Sequence, residues 1–414
     1  MSLEFVSYGD FSTAVHAQSV KNRIPLLGAI EVSHRCNMNC AHCYNNRPLS
    51  DRATARKELS ALEYRRILDE LADLGCLWLL FTGGEVFARP DFLEIYTYAK
   101  RKGFIVTVFT NGTMITPRIA DALAEWRPFK VEISLYGSTR ETYERVTRVP
   151  GSFDRCLRGI RLLKDRKLPL ALKTMALTVN RHELAEMERF AKEDLGLEFK
   201  FDAMINPRTD RSLGPLGLRL SPAEVVTLDL GHDGRWCEWE RFASEYTMPP
   251  HAPGEEKDLY HCGGGVNSFA IDPTGGMRIC LLSPRDAFDL RRGSAREGWE
   301  NFLVRVRRRR STRPTKCTTC QIKAMCGMCP AMGEIENGDP ESPVDFLCRT
   351  AHLRSYALGA VIPAHGECEY CSGGVAYEQV RTEAESLREG VDVSRRLESP
   401  GLCVVKPANG GPRS

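Results

Sequence analysis

Three closely spaced cysteines near the start of the chain are the residues best suited to carry out chemistry. They form a Cys-x3-Cys-x2-Cys pattern, and they are Cys36, Cys40 and Cys43. Thiolates bind zinc and iron–sulfur clusters, and both kinds of centre normally take four protein ligands. The next cysteine, Cys76, is too far along the chain to complete a local set. We therefore predict a cluster with one iron open to a substrate or cofactor; the alternative is a zinc knuckle with His34 or His42.

Strands and helices that alternate along the chain must position this cysteine triad. An apolar run at 28–32 ends just before it and predicts a buried strand. Further strands are predicted at 77–81, 104–109, 130–135, 170–177 and 198–204. Helices are predicted between them at 60–74, 91–102, 117–125, 153–166 and 182–194. Such alternation favours parallel strands with right-handed crossovers. Six units are too few for a complete eight-stranded barrel, so we expect an α/β fold, a partial (β/α)6 TIM-like barrel with its site at the strand carboxyl ends.

Polar and glycine-rich residues follow or end three of these strands. The second strand runs into Gly83-Gly84-Glu85, where two glycines allow close approach of the backbone to a ligand and a carboxylate can accept from an ammonium group. Asn111 follows the third strand, and Ser134 lies at the end of the fourth. Each motif alone is equally typical of an ordinary turn. Their common place at strand ends makes them candidates for ligand binding.

The triad spacing, with an aromatic residue directly after its last cysteine, resembles that of the radical S-adenosylmethionine (SAM) superfamily. The resemblance implies that SAM chelates the open iron of a [4Fe–4S] cluster through its amino and carboxylate groups. An electron from the cluster then cleaves SAM to a 5′-deoxyadenosyl radical, which abstracts a substrate hydrogen. In that family the Gly-Gly-Glu motif holds the SAM amino group, and strand-end Asn or Ser residues bind its ribose or methionyl part. The SAM-binding residues so implied are Tyr44, Gly83, Gly84, Glu85, Asn111, Ser134 and Arg148. Tyr136 departs from the pattern, because many relatives carry aspartate there.

A second group of cysteines lies in the last third of the chain. Its members are Cys262, Cys280, Cys317, Cys320, Cys326, Cys329 and Cys348, with Cys368 and Cys371 beyond them. Paired zinc ribbons require tidier spacing than this interleaved set provides. The order, which includes Gly275-x4-Cys280, resembles the SPASM extension of radical SAM enzymes.

The SPASM resemblance implies two auxiliary [4Fe–4S] clusters. One would be held by Cys317, Cys320, Cys326 and Cys348. The other would use Cys262, Cys280 and Cys329. The chain departs from the pattern in having two residues, not three, before Cys329, so the register of Cys329 is open. The fourth ligand is unassigned; the options are Cys237, a non-cysteine donor, or an iron without a protein ligand. Three roles stay open for the final CxxC pair, Cys368 and Cys371: cluster ligands, part of a zinc site, or a reducing dithiol.

Changes in composition and stretches rich in proline and glycine divide the chain into segments. A lead-in at 1–25 precedes the barrel at 26–204, and a proline-rich connector spans 205–260. The cysteine-rich SPASM region with its extension covers 261–377, and a charged tail covers 378–414.

Length and charge exclude several broad classes of protein. The 414 residues are 42% hydrophobic and 27% charged, as in ordinary globular proteins. A net charge of +3 gives no indication of nucleic-acid binding, and no apolar run is long enough for a membrane span. The first residues lack an export signal, so we expect a cytoplasmic location. Sixteen cysteines in such a chain are better explained as metal ligands than as disulfides.

The resemblance implies a radical SAM oxidoreductase whose commonest role among SPASM proteins is modification of a ribosomally made peptide by cross-linking, thioether formation or epimerisation. It also implies an electron donor such as flavodoxin or ferredoxin and a separate precursor-recognition protein. Tetrapyrrole or other cofactor synthesis is an alternative. A sulfatase-type formylglycine maturase ranks lower, because Leu281 stands where such enzymes usually carry aspartate. A non-enzymatic iron–sulfur electron carrier is a further alternative. The Gly-Gly-Glu motif argues against it, because such a carrier would need no SAM pocket.

Overall fold

The computed structural model describes residues 7–45, 47–246, 258–362, 364–365 and 367–390. They form two compact units, each described by itself below. The sheet unit comprises Ser19–Arg219 and Cys262–Arg308. The helical unit comprises the described parts of Met1–Gln18, Leu220–His261 and Arg309–Ser414. The predicted connector and the cysteine-rich region therefore each contribute to both units.

The sheet unit is built on parallel strands. The strands are β1 (Leu27–Glu31), β2 (Arg35–Cys36), β3 (Arg47–Pro48), β4 (Trp78–Thr82), β5 (Ile105–Thr110), β6 (Lys130–Ser134), β7 (Leu170–Met175), β8 (Glu198–Asp202), β9 (Ser268–Ile271), β10 (Gly276–Arg278) and β11 (Phe288–Asp289). Nine of them form one sheet in the order β11-β10-β9-β1-β4-β5-β6-β7-β8, and β2 pairs separately with β3. Strands β9 through β8 in this order run parallel, whereas β10 and β11 are antiparallel to their neighbours. Because β8 and β11 lie at the two ends, the barrel is open within the described residues.

Helices cross between the strands and make up most of the helical unit. The α-helices are α1 (Tyr8–Asn22), α2 (Arg52–Ala55), α3 (Ala61–Asp73), α4 (Phe92–Arg101), α5 (Pro117–Glu125), α6 (Arg140–Thr147), α7 (Ser152–Asp165), α8 (Leu184–Arg189), α9 (Pro222–Gly231), α10 (Asp233–Tyr246), α11 (Ala295–Glu297), α12 (Leu303–Arg307), α13 (Pro330–Asn337), α14 (Asp345–Ala357) and α15 (Tyr377–Glu389). No helix in the described part of the chain is long and apolar enough to cross a membrane.

Local sequence explains where the crossover helices begin. Ser60 caps α3 by accepting from the backbone N–H of Glu63, whose side chain bonds back to Ser60. Thr116 caps α5 by accepting from the backbone N–H of Ile119, with a proline at the first helical position. Such caps satisfy N–H groups that have no partner within the helix. They fix the points at which the chain leaves a loop and returns along the sheet.

The predicted α/β fold with its partial barrel is confirmed. Each of the six predicted strands is found within a few residues of its expected bounds, because buried apolar runs alternate with amphipathic helices. Valines and isoleucines at alternate positions are fully buried, for example Val106, Val108, Val131 and Ile133. Strands β9 and β10 form an antiparallel hairpin, joined by a turn at Asp272–Gly275.

Four features were not predicted. Strand β9 pairs with β1 in parallel, so that residues from the cysteine-rich region extend the barrel sheet. Helix α6 follows β6, and α10 occupies part of the predicted connector. The helix expected at 182–194 is divided into a 3-10 turn (Arg181–Glu183), α8 and a π-helical turn (Phe190–Asp194).

The helical unit has its own apolar core. It is formed by α9, α14 and α15, with fully buried residues such as Val226, Leu353 and Val380. Cys320, Cys326, Cys348 of α14 and the two buried cysteines of the C-terminal extension, Cys368 and Cys371, join this core. The segment predicted as a charged tail begins with α15, and its positions after 390 lie outside the described residues.

Candidate functional site

The carboxyl ends of four adjacent parallel strands meet at one edge of the sheet. Strands β1, β4, β5 and β6 are neighbours in that order, with Glu31 of β1 opposite Thr82 of β4. Parallel strands place their following loops at the same edge. The structure therefore brings together the cysteine triad, the Gly-Gly-Glu motif, Asn111 and the end of β6.

The Gly-Gly-Glu motif holds the backbone that leads into the triad. The N–H of Gly84 donates to the carbonyl of Ser33 at 2.7 Å, and the N–H of Glu85 donates to the carbonyl of Arg35 at 3.0 Å. A Cβ at Gly83 or Gly84 would lie only 2.3 Å from one of those carbonyl oxygens. Gly83 also has a φ of +132°, which side chains rarely adopt. Glycine is therefore required here for contact between two backbone segments of the chain.

Glu58 braces the same segment from the other side. Its carboxylate accepts from the hydroxyl of Ser33 at 2.6 Å and from the guanidinium of Arg35 at 3.1 and 2.9 Å. A two-point guanidinium–carboxylate pair of this kind fixes orientation as well as distance. The residue directly before Cys36 is thus held by side-chain and backbone contacts together.

The carboxylate of Glu85 is buried and accepts three hydrogen bonds. The donors are the hydroxyl of Thr110 at 2.7 Å, the N–H of Asn111 at 2.7 Å and the N–H of Phe87 at 3.2 Å. Burial raises the pKa of Glu85, and these hydrogen bonds oppose that rise. A carboxylate has about four acceptor positions. One position therefore remains for a further donor such as an ammonium group.

Asn111 connects the end of β5 to the triad loop. Its side-chain amide donates to Sγ of Cys36 at 3.7 Å and to Oδ1 of Asn37 at 2.9 Å. Backbone N–H groups also point at sulfur: that of Met38 lies 3.3 Å from Sγ of Cys36, and that of Asn45 lies 3.5 Å from Sγ of Cys43. Such donors stabilise thiolate ligands and tune the potential of a cluster.

The triad fits an iron–sulfur cluster. Burial, followed by the nearby Glu85 carboxylate, raises the pKa of Cys36 to about 12. Burial and the neighbouring thiols raise the pKa of Cys40 as well. Buried thiolates require a compensating cation, which the iron of a cluster supplies. Three neighbouring buried or half-buried thiols with N–H donors directed at sulfur are the chemistry such a group requires.

The zinc-knuckle alternative lacks support in the geometry. His34 lies 3.5 Å from the carboxylate of Glu31. His42 packs edge-on against Tyr136, with ring centroids 4.8 Å apart, and burial lowers its pKa to about 4. Within the described ranges, neither histidine joins the triad in a group of donor atoms tight enough for one metal ion.

The remaining SAM-binding candidates lie around the same edge. The hydroxyl of Tyr44 donates to Glu31 at 2.6 Å, and burial and this carboxylate raise the pKa of Tyr44. Ser134 ends β6, and Arg148 caps α6 in the left-handed region with φ of +55°. The positive charge of Arg148 acts on Cys40. Their contacts with SAM stay predictions.

A charged cluster on strands β6, β7 and β8 was missed in the sequence. Glu132 lies 2.6 Å from Nζ of Lys200 and 3.4 Å from Nζ of Lys173. The ammonium of Lys173 also lies over the ring of Phe109. Burial, opposed by Glu132, lowers the pKa of Lys173 to about 7. The sequence signal for this cluster was the presence of charged residues within otherwise apolar strands. Glu132 lies on the same face of β6 as Ser134, because side chains two positions apart on a strand point the same way.

The C-terminal cysteines divide between the two units. Cys262 and Cys280 belong to the sheet unit, and the N–H of Leu282 points at Sγ of Cys280 at 3.4 Å. The helical unit carries Cys317, Cys320, Cys326, Cys329 and Cys348. Of these, Cys320, Cys326 and Cys348 share one core, and the charge of Cys320 acts on Cys317. The predicted ligand set of the first auxiliary cluster is thus consistent with the packing, and the exact assignment stays a prediction.

Comparison with known proteins identifies the class. Residues 30–191 match the model of the Radical SAM superfamily. This segment is a radical SAM domain, and the chain is an enzyme of that class, whose cofactors are SAM and iron–sulfur clusters.

Individual relatives differ in their biological roles. An AdoMet-dependent heme synthase of Methanosarcina barkeri is 28% identical over 76% of this chain and 94% of its own length. The subtilosin biosynthesis protein AlbA of Bacillus subtilis, which is involved in making an antilisterial bacteriocin, is 29% identical over 64% of this chain and 56% of its own. The structure of Streptococcus suis SuiB bound to S-adenosylmethionine matches with a TM-score of 0.59 and 16% identity, covering 84% of this chain and 82% of SuiB. SuiB has also been solved with its precursor peptide SuiA.

Proposed function

We propose that the protein is a peptide-modifying radical SAM/SPASM enzyme. It would act on a ribosomally synthesised peptide and install a cross-link, a thioether, an epimerised centre or a related oxidation. The observation that carries the proposal is the triad loop, which is held at the carboxyl edge of the sheet by Gly84, Glu85 and Asn111.

Similarity to AlbA supports a peptide as the substrate. AlbA is a bacteriocin biosynthesis protein, and SuiB, which shares the fold, binds a precursor peptide. The SPASM-like order of the later cysteines agrees with both. Auxiliary clusters would accept an electron from the substrate or orient it, which favours net oxidation.

The residues of the site then have separate tasks. When bound, the cluster and SAM supply the radical that removes a substrate hydrogen atom. Cys36, Cys40 and Cys43 would hold the cluster. Glu85 would accept from the SAM ammonium through its remaining acceptor position, while its other hydrogen bonds keep the carboxylate in place.

The rest of the SAM would be held by groups on neighbouring strand ends. Ser134 and Asn111 would bind the ribose or methionyl part, and Arg148 would pair with the carboxylate. The charged cluster around Glu132 lies on the Ser134 face of β6, so it would bind polar groups of the substrate.

Two protein partners complete the proposal. An electron donor such as flavodoxin or ferredoxin would reduce the cluster. A separate precursor-recognition protein would deliver the peptide.

A second candidate function is a step of heme synthesis. The heme synthase of M. barkeri is matched over 94% of its length, a larger share than AlbA. Iron-coproporphyrin carries propionate groups, for which basic residues such as Lys173 and Lys200 are suitable partners. The two candidates are separated by their substrates and not by the radical chemistry.

The test is a direct comparison of substrates. The full chain would be purified and reconstituted without oxygen, reduced with dithionite and supplied with SAM. Short peptides encoded beside its gene and iron-coproporphyrin III would be added in parallel, and 5′-deoxyadenosine and substrate masses would be measured. A triple Cys36→Ala, Cys40→Ala, Cys43→Ala variant is the control.

Stimulated 5′-deoxyadenosine formation with a changed peptide mass is the expected result. Turnover of iron-coproporphyrin without any change in the peptides would replace the proposal with the heme-synthesis function. SAM cleavage that persists in the triple variant would contradict the radical site itself.

A further inference from the structure

Four potential metal ligands converge in the helical unit, outside the triad. They are His352, His365, Cys368 and Cys371, and one ligand atom from each lies within 4.8 Å of all the others. All four side chains are buried, with exposures of 1%, 8%, 5% and 1%. Burying four such groups together is unfavourable unless their polar atoms are bonded.

The individual separations are those between neighbouring ligands of a single ion. Nε2 of His352 lies 3.3 Å from Sγ of Cys371 and 3.5 Å from Sγ of Cys368. Nδ1 of His365 lies 3.3 Å from Sγ of Cys371. Tetrahedral zinc, with bonds of about 2.3 Å to sulfur and about 2.0 Å to nitrogen, places its ligand atoms about 3.5 Å apart.

We propose that His352, His365, Cys368 and Cys371 bind one zinc ion in a closed tetrahedral site distinct from the iron–sulfur clusters. Two thiolates and two imidazoles are a ligand set that zinc takes in structural sites. Because all four ligands come from the protein and are buried, no position is left for substrate or water. The site is therefore structural and not catalytic.

A supporting hydrogen bond orients one of the histidines. Nδ1 of His352 lies 2.7 Å from the carbonyl oxygen of Cys348, one turn earlier in α14. A carbonyl only accepts, so Nδ1 carries the proton and Nε2 presents its lone pair to the two cysteine sulfurs. Metal-bound histidines are characteristically held by a second hydrogen bond of this type.

The local backbone also matches a metal knuckle. Cys368 and Cys371 are separated by two residues and connected by a tight turn. In this turn the N–H of Cys371 donates to the carbonyl of Cys368 at 3.3 Å. The N–H of Cys368 in turn donates to the carbonyl of His365 at 3.3 Å. This turn directs three ligands from seven consecutive residues to one point.

The close packing argues against an assignment of this quartet to a four-iron cluster. In such a cluster each protein ligand binds a different iron, so the ligand atoms are much further apart than around one ion. Cys348, predicted to hold an auxiliary cluster, is not a member of the quartet, although its Sγ lies 3.8 Å from Nδ1 of His352. The thiol of Cys348 also bonds to that of Cys368, so the iron content of the variant described below tests whether the quartet is separate from the cluster that Cys348 is predicted to hold.

A metal here would fasten the C-terminal extension to the core of its own unit. His352 lies on α14, whereas the other three ligands lie in the segment that precedes α15. Helices α14 and α15 pack together, with Arg349 paired to Glu383 at 2.7 Å. Zinc would stabilise this arrangement because metal binding energy contributes directly to folding.

The test measures metals in the intact protein. The full chain would be produced in medium containing zinc and iron, purified without oxygen, and analysed for both metals by mass spectrometry. A Cys368→Ala, Cys371→Ala variant would be compared with a Cys76→Ala, Cys156→Ala control, which removes two buried cysteines of the sheet unit. We expect about one zinc per chain in wild type and control, and in the variant loss of zinc with iron retained.

A second variant covers the case in which the first does not fold. His365→Cys keeps four ligands and should retain zinc, and X-ray absorption at the zinc edge should change from two sulfur and two nitrogen neighbours to three and one. Loss of iron instead of zinc from the Cys368→Ala, Cys371→Ala variant would overturn the proposal. So would a wild-type protein without zinc, or a zinc edge without mixed sulfur and nitrogen ligation.

Discussion

The side-chain amide of Asn111 donates a hydrogen bond to Sγ of Cys36 across 3.7 Å. The two residues are 75 positions apart in sequence. Cys36 lies in β2, which follows β1, and Asn111 follows β5, which is two strands away from β1 in the sheet. The same amide also bonds to Asn37 at 2.9 Å. The end of β5 therefore directly supports the loop that we propose to bind the cluster.

Replacing Asn111 by leucine should lower the reduction potential of the triad cluster. A hydrogen bond to a thiolate ligand favours the more negative, reduced form, so its loss disfavours reduction. Potentiometric titration followed by electron paramagnetic resonance would measure the change. An Asn45→Leu variant removes no side-chain bond to sulfur and is the control. An unchanged potential in Asn111→Leu would show that the amide does not act on the cluster.

Replacing Gly84 by alanine should prevent proper formation of the triad loop. The new Cβ would lie 2.3 Å from the carbonyl oxygen of Arg35, which cannot move without disturbing the residue next to Cys36. We expect less iron in the reconstituted protein and a large loss of SAM cleavage. Gly217→Ala is a matched control, because no atom lies within 4 Å of a Cβ at that position. Equal iron content in both variants would contradict the role given to Gly84.

The contribution of Glu183 to the free energy of unfolding should depend on pH. Its carboxylate accepts from the N–H and hydroxyl of Thr139 and from the hydroxyl of Thr142, at 3.1, 2.7 and 2.5 Å. Burial alone would raise the pKa of Glu183, but these bonds lower it to about 2. The unfolded chain takes up a proton at higher pH, near 4.5. The contribution is therefore present above pH 4.5 and is lost as the pH falls towards 2.

Glu183→Gln should reduce the free energy of unfolding at pH 7 by about 1–3 kcal/mol. The difference from wild type should shrink on acidification below pH 4.5, as measured by urea unfolding. Glu186→Gln, an exposed position on α8, should change little. A Glu183→Gln difference that stays constant with pH would refute the assigned pKa.

Lys173 should give a pH dependence of the same sign as Glu183, but at higher pH. Burial lowers its pKa to about 7 from 10.5, so the unfolded state binds more protons between these values. By linkage, the stability of wild type relative to Lys173→Met rises as pH increases from 7 to 10.5, by up to about 1.4 kcal/mol per pH unit. Unfolding experiments across this range measure the slope. Replacement of an exposed lysine, Lys164→Met, is the control, and a flat profile for Lys173→Met would contradict the prediction.

Local patterns were sufficient for the strands and for most of the barrel helices. Buried apolar runs and amphipathic segments are decided by residues a few positions apart, so their period is visible in the sequence. Helix α6 was missed because its eight residues contain few apolar side chains. The pairing of β9 with β1 was missed because it joins residues about 240 positions apart.

The sequence by itself determined the cysteine spacing, the polar residues at strand ends and, through them, the radical SAM class. Metal-ligand spacing and strand ends are local properties, which is why they were readable without a structure. Only the tertiary structure decided which distant groups meet. It joined Asn111 to Cys36, placed Lys173 beside Glu132, and brought His352 of α14 to a cysteine pair 16 and 19 positions further along the chain. These contacts depend on how strands and helices pack, and packing is a property of the whole chain that no short pattern records.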